Sequence, residues 1–171
     1  MTTYKKILCT TDFSEASYAA LPTAAILAEQ CGAQLLLVHV IPFPAPNNHG
    51  LSTEEECERV ATTEAESVLR RIGDERLTGC GRAHSFVRIG DPVTEIISVA
   101  QQEQVDMIVI ATHGYSGWRH VIFGSVTESV LRLAPCPVLT VRSPDDRADG
   151  HLRGYNANGT TDTSGTALGP S

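Results

Sequence analysis

Two short segments hold the residues whose types and spacing point to binding chemistry. The first is Thr10-Thr11-Asp12, where the carboxylate of Asp12 can accept hydrogen bonds from a ribose or a base. The second runs from Ala111 to Ser125 and contains Gly114, nine further residues and then Gly124-Ser125. Glycines let backbone N–H groups approach a phosphate closely, and a helix that begins near Ser125 adds free donors and a partial positive charge. The second segment therefore predicts a phosphate cradle.

Each of these features also has a purely structural explanation. Ser125 and Glu128 match a capping box, in which Ser125 would cap its own helix without any ligand. Glycines in a long loop are common turn residues, and Asp12 would favour the N-terminus of a helix capped by Ser14. Binding and structural roles both remain open at this level.

Residue types exclude several other kinds of site. The only lysines are Lys5 and Lys6, so the usual Walker-type phosphate loop cannot form, and no G-x-G-x-x-G pattern follows the first apolar run. The five cysteines show no metal-ligand spacing and predict free thiols in a reducing compartment. His39 is expected to be a hydrogen-bonded core residue, and Cys136 a packing residue rather than a nucleophile.

The charge balance and the absence of long apolar runs limit the partners. Twenty acidic and thirteen basic side chains give a net charge of −7 at pH 7, which repels a nucleic-acid backbone. No stretch approaches the roughly 18 apolar residues of a membrane span, and the N-terminus has no secretory apolar core. We therefore expect a cytoplasmic protein without nucleic-acid or membrane partners.

Apolar runs and helical periodicity predict the elements that carry the candidate residues. Strands are expected over residues 4–10, 34–41, 83–89, 107–111 and 138–142, with helices between them. The helix after the first strand, over residues 15–31, contains Pro22, which should cost a hydrogen bond and kink it. Such alternation over about 140 residues predicts an α/β protein, a doubly wound parallel sheet with helices on both faces.

This architecture brings the two candidate segments together. In an open parallel sheet, ligands bind outside the carboxyl ends of the strands, where successive connections leave to opposite faces. The loops after the first and fourth strands contain Asp12 and Gly114–Ser125. The domain is expected to span residues 1–142, because residues 143–171 are rich in Gly, Asp, Thr, Asn and Ser and predict a polar, flexible tail.

Three segments resemble the universal stress protein family: KKILCTTDFSEAS, LLLVHVI and ATHGYSGWRHVIFGSVTESVLRLAPCPVLTVR. The resemblance covers residues 4–142. Its most specific part is the family's nucleotide signature, G-x-x-G, nine residues and G-[ST], which reads Ala111-x-x-Gly114-x9-Gly124-Ser125 here. The resemblance implies a five-stranded parallel sheet of order 3-2-1-4-5, of the adenine nucleotide α-hydrolase-like type. It also implies a homodimer formed through the strand at 138–142.

The resemblance further implies ATP as the ligand, with or without Mg²⁺. It places Asp12 and Val40 at the adenosine, Ile110 and Ala111 at the start of the loop, and Gly114, Gly124, Ser125 and Val126 at the phosphates; Thr10 completes the set. The sequence departs from the family pattern at Ala111, which replaces the first glycine, and at Thr10, where proline is frequent.

Two functions follow from this resemblance. The first is a stress-response protein that binds ATP as a regulatory ligand or a slow substrate, with at most weak hydrolysis, since the loop offers few groups for phosphoryl transfer. The alternative is a nucleotide-free dimeric interaction module in which Ala111 has closed the site.

Overall fold

Five parallel strands form the sheet at the centre of the molecule. The computed structural model describes residues 4–43, 53–77, 83–112 and 124–142. The strands are β1 (Lys6–Thr10), β2 (Gln34–Ile41), β3 (His84–Ile89), β4 (Met107–Ala111) and β5 (Val138–Val141). They pair in the order β3-β2-β1-β4-β5, with every pairing parallel. The predicted fold class and strand order are confirmed.

Helices cover both faces of this sheet. The described residues form α1 (Glu15–Tyr18), α2 (Ala20–Cys31), α3 (Glu54–Arg76), α4 (Pro92–Gln102) and α5 (Ser125–Leu133). Helices α2 and α3 pack on one face, and α4 and α5 pack on the other. None of these helices is both long enough and apolar enough to cross a membrane. The predicted tail, residues 143–171, lies outside the described residues.

Each face of the sheet has its own hydrophobic core. In the first core, Ile7, Cys9 and Ala111 pack against residues of α2 and α3. In the second core, Leu8 and Ile110 pack against residues of α4 and α5. Alternate residues of a strand point to opposite faces, so the continuous apolar runs of β1, β2 and β4 supply both cores at once.

The segment after β1 differs from the predicted single kinked helix. It is divided into α1 and α2 at Ala19, which serves as the N-cap of α2. Pro22 is therefore the third residue of α2, and its missing N–H belongs to the first turn, where no intrahelical partner exists. The predicted interruption of the helix is found at Ala19, one turn before Pro22; in a continuous helix Pro22 would have no N–H to donate to Tyr18.

Candidate functional site

The carboxyl ends of β1 and β4 open into a pocket at the point where the sheet reverses its winding. The long helix that follows β1, α2, packs on one face of the sheet, and the helix that follows β4, α5, packs on the other. This divergence is the geometry in which open α/β sheets bind ligands. The pocket has a volume of about 310 Å³, which is the lower end of the range for small-molecule sites.

Most of the predicted site residues lie in this pocket. Its lining includes Thr10, Asp12, Val40, Ile110, Ala111, Gly124, Ser125 and Val126. Gly114 lies outside the described residues. The two candidate segments, which are about a hundred residues apart in sequence, therefore border one cavity.

Thr11 of the first candidate segment also lines the pocket, and the sequence patterns missed other lining residues: Ser17, Val38, Pro42, Pro92, Ile96 and Thr127. Val38 could have been found, because it lies two residues before Val40 and so on the same face of β2. Pro92 and Ile96 belong to α4, which follows β3, and no motif in that segment indicates a ligand. Together with Val40, these side chains give the pocket an apolar wall.

The loop after β1 holds Asp12 at the mouth of the pocket. Asp12 is exposed, and its Oδ1 accepts hydrogen bonds from the backbone N–H of Ser14 (3.0 Å) and from the Ser14 hydroxyl (2.6 Å). The Ser14 side chain in turn accepts a bond from the N–H of Ser17 at 3.1 Å and caps α1, as predicted. The beginning of α1 therefore fixes the orientation of the carboxylate.

Phe13 and His39 support the same loop from the other face of the sheet. Phe13 has a left-handed backbone with φ of 65°, a conformation that costs a residue with a side chain of the order of 1–3 kcal/mol. Its ring stacks on that of His39 at 3.8 Å, and Nδ1 of His39 lies 2.9 Å from the backbone oxygen of Thr11. A carbonyl oxygen only accepts, so Nδ1 carries the proton.

Burial determines the charge state of this histidine. It lowers the pKa of His39, although the hydrogen bond to Thr11 and the charge of Asp12 act in the opposite direction. His39 therefore favours the neutral form at neutral pH. The prediction of a hydrogen-bonded histidine is confirmed, but the ring is half-buried rather than fully enclosed.

Helix α5 presents its N-terminus to the pocket. Its N-cap is Gly124, with φ −64° and ψ 154°, and no side chain caps the helix. Ser125 is the first helical residue and is exposed, so the capping-box explanation of Ser125 is wrong. The first-turn N–H groups of a helix have no intrahelical acceptors, and they carry a partial positive charge. An anion in the pocket can bind to them without displacing a cap.

The methyl group of Ala111 does not fill the pocket. Ala111 packs in the first core with Cys9 and Val109, whereas its neighbour Ile110 packs in the second core beside α5. The side chain at the position of the family's first glycine thus points to the opposite face of the sheet. We infer that the backbone of Ala111 borders the pocket.

No cysteine is among the described residues that line this pocket. Cys9 is fully buried, and burial raises its pKa to about 12. Burial is also the main cause of a raised pKa at Cys136, to which the charge of Asp106 adds. Thiols with raised pKa values form little thiolate, in agreement with the predicted packing role of Cys136.

Comparison with known proteins identifies the family. The sequence profile of the universal stress protein family matches residues 3–142. The chain belongs to this family. This universal stress protein is 31% identical to universal stress protein MJ0531 of Methanocaldococcus jannaschii, over 82% of this chain and 84% of that one.

Solved structures show the same fold. The structure of MJ0577, from the same archaeon, has a TM-score of 0.71 and 32% identity, and the match covers 82% of this universal stress protein and 97% of MJ0577. Two more distant structures share the fold alone. A universal stress protein in complex with cAMP has a TM-score of 0.56 at 24% identity, covering 83% of this chain and 99% of that one. An Arabidopsis thaliana family member with AMP bound has a TM-score of 0.60 at 16% identity, covering 86% and 97%.

Proposed function

We propose that this universal stress protein binds an adenine nucleotide, ATP foremost, in the pocket between β1 and β4. The nucleotide acts as a regulatory ligand or a slow substrate in the response to stress. The observation that carries the proposal is the N-terminus of α5, which has no side-chain cap and borders the same cavity as Asp12 and an apolar wall. The proteins of this fold described above with cAMP and AMP support the choice of an adenine nucleotide.

The two ends of the pocket suit the two ends of such a ligand. Val38, Val40 and Ile96 offer apolar contact to a flat base, and the carboxylate of Asp12 lies where a ribose hydroxyl can donate to it. The backbone N–H groups at Gly124–Val126 suit the phosphates, because glycine leaves room for close approach. No lysine or arginine is among the described residues that line the pocket, so backbone N–H groups would bind the phosphates there.

The described residues do not build a metal centre for hydrolysis. They contain no group of three or more His, Cys, Asp or Glu side chains that could hold a metal ion. Asp12 is the one carboxylate among the described lining residues. A Mg²⁺ ion would therefore bind mainly to the phosphates of the nucleotide that brings it, and we propose ligand binding with at most slow hydrolysis.

We also propose a cytoplasmic location and a domain that spans residues 1–142. Cys9, Cys31, Cys57 and Cys136 are free thiols, and thiols stay reduced in the cytosol. The proposed domain boundary is supported by the match to the family profile, which ends at residue 142.

Thermal unfolding of the purified protein tests the nucleotide proposal. ATP with Mg²⁺, at a hundred times its dissociation constant, should add about 2.7 kcal/mol of stability, which corresponds to a rise in Tm of about 5–10 °C. AMP should also raise the Tm. No shift with either nucleotide, together with no nucleotide released from the purified protein, would contradict the proposal and favour the nucleotide-free module.

The Gly124→Asp variant locates the site. Its Cβ would meet the backbone oxygen of Thr112 at 3.6 Å, an ordinary contact, and Asp is a good N-cap at this backbone conformation. The new carboxylate should cap α5, repel phosphates and abolish the nucleotide shift, while the Tm without nucleotide stays equal or rises. Gly73→Asp adds the same charge in α3, with nothing within 4 Å of its Cβ, and should keep the full shift.

A further inference from the structure

We propose that Thr127 is the positioning residue that fixes the N-terminus of α5 against β4, and that it thereby sets the affinity for the phosphates of the ligand and not for its base. This inference rests on the proposed nucleotide function. Thr127 belongs to no part of the nucleotide signature, which ends at Ser125. Its role follows from its contacts.

The hydroxyl of Thr127 is hydrogen-bonded to the end of β4. Thr127 is 4% exposed, and its Oγ1 donates to the backbone oxygen of Ala111 at 2.9 Å. The bond joins the first turn of α5 to the last residue of β4, across the loop that separates the two elements. A threonine hydroxyl within a helix often bonds to the preceding turn of its own helix, whereas this one bonds to the sheet.

A second bond holds the start of the same turn. The N–H of Gly124 donates to the backbone oxygen of Thr112 at 2.8 Å, and Thr112 in turn donates its N–H to Val141 of β5 at 2.9 Å. Gly124 and Thr127 therefore attach α5 at two points, three residues apart. One attachment would leave a hinge at the helix tip, and two attachments fix both its position and its direction.

The groups proposed to bind phosphate lie between these two attachments. Ser125 and Val126 both line the pocket, and one turn further on Val130 is fully buried in the second core. Core packing thus holds the body of α5, while the Thr127 hydroxyl holds its tip. N–H donors that are already held in place lose little conformational entropy when they bind an anion. A more mobile N-terminus of α5 should therefore bind phosphate more weakly. The apolar wall that faces the base belongs to β2 and α4 and does not depend on Thr127.

The test compares adenosine, AMP and ATP as ligands of the wild type, Thr127→Val and Thr127→Ser, by calorimetric titration. Valine keeps the volume of threonine and removes the hydroxyl, so affinity for AMP and ATP should fall about tenfold, the worth of about one hydrogen bond. The dissociation constant of adenosine should change less than about twofold, and serine should restore nucleotide affinity. Equal losses for adenosine and the nucleotides, or no loss at all, would overturn the proposal.

Thr94→Val is a matched control on the other helix that borders the pocket. Thr94 is also the third residue of its helix, α4, but its hydroxyl donates to Asp91 Oδ1 at 2.8 Å, within the cap of α4 itself. This variant should leave the ratio of nucleotide to nucleoside affinity unchanged. A change as large as that of Thr127→Val would show a general effect of helix loosening and would count against the proposal.

A measurement without ligand separates this inference from the nucleotide function. In Thr127→Val, the N–H groups of Gly124 and of Glu128, which bonds to Gly124 at 2.9 Å, should exchange faster with solvent, while those of α4 should not change. Unchanged exchange would remove the anchoring role even if nucleotides bind. If exchange accelerates but the wild type binds no nucleotide, the anchor stands, and both the nucleotide function and the phosphate role of Thr127 fail.

Discussion

Ala111, the last residue of β4, replaces the first glycine of the family's nucleotide signature. The methyl group of Ala111 lies in the first core, with Cys9 and Val109, and only 4% of the residue is exposed. Its direction follows from strand alternation: Ile110 faces α5, so Ala111 faces α2. A replacement of glycine at this position thus adds to a core without narrowing the binding crevice.

The Ala111→Gly variant should separate stability from binding. Removing a buried methyl group and adding backbone freedom should lower the free energy of unfolding by about 1–2 kcal/mol, measured by urea denaturation. Nucleotide affinity, measured by titration, should stay within about twofold, because the lost methyl group faces the first core. A large gain in affinity would show that the methyl group crowds the ligand.

At the scale of elements, the break between α1 and α2 places Pro22 in the first turn of α2, where its missing N–H removes no hydrogen bond of that helix. Pro22 is exposed and occupies the first turn of α2, whose N–H groups have no intrahelical acceptors. Ahead of the break, Ser14 caps α1 and holds the Asp12 carboxylate by two hydrogen bonds.

The Pro22→Ala variant distinguishes two helices from one continuous helix. In the first turn, proline mainly restricts the unfolded chain, so alanine should lower stability by about 0.4–1 kcal/mol or leave it unchanged. In the middle of one long helix, the same replacement would raise stability by about 3 kcal/mol. Urea denaturation with circular dichroism measures the difference. A rise of the larger size would refute the division of the segment at Ala19.

At the scale of the whole molecule, β5 is an edge strand that, among the residues the structure describes, pairs only with β4. Exposed edges of this kind attract further strands unless they are protected. We propose that the chain forms a homodimer in which β5 of one protomer meets β5 of its partner. Light scattering after size exclusion should then give twice the mass of one chain.

The Thr140→Pro variant tests which edge forms this dimer. The carbonyls of Pro137 and Val141 accept bonds from Ile108 and Thr112, so alternate residues of β5 turn their backbone towards β4. Thr140 lies between two such positions and directs its N–H away from the sheet. Proline there should yield a monomer and change the Tm by only a few degrees, since β4 pairing is kept. A variant that remains dimeric would place the interface elsewhere.

Local pattern was sufficient to predict much of this fold and site. The apolar runs of β1, β2 and β4 predicted strands, the glycine signature indicated Gly124 and Ser125, and the family resemblance implied Val126; all three of these residues line the pocket. These features can be read from the sequence because they depend only on residues that are close together in the chain. The periods of strands and helices and the conformational freedom of glycine are of this kind.

Contacts between distant residues could not be predicted in this way. The sequence does not show that Thr127 bonds to Ala111, that Pro92 and Ile96 of α4 complete the apolar wall, or that Gly124 rather than Ser125 occupies the N-cap position of α5. Each of these depends on how a helix packs against the end of a strand elsewhere in the chain. A capping box and a ligand-binding serine look identical in sequence, and the difference is where the helix begins.

The sequence by itself determined the class of fold, the switch point of the sheet and the two segments that meet there. The tertiary structure alone decided the direction of the Ala111 methyl group, the uncapped N-terminus of α5 and the hydroxyl that holds it. The reason is physical. Hydrophobic periodicity depends on a few neighbouring residues, whereas the direction of a side chain or N–H group at the end of a strand or helix depends on what packs against it.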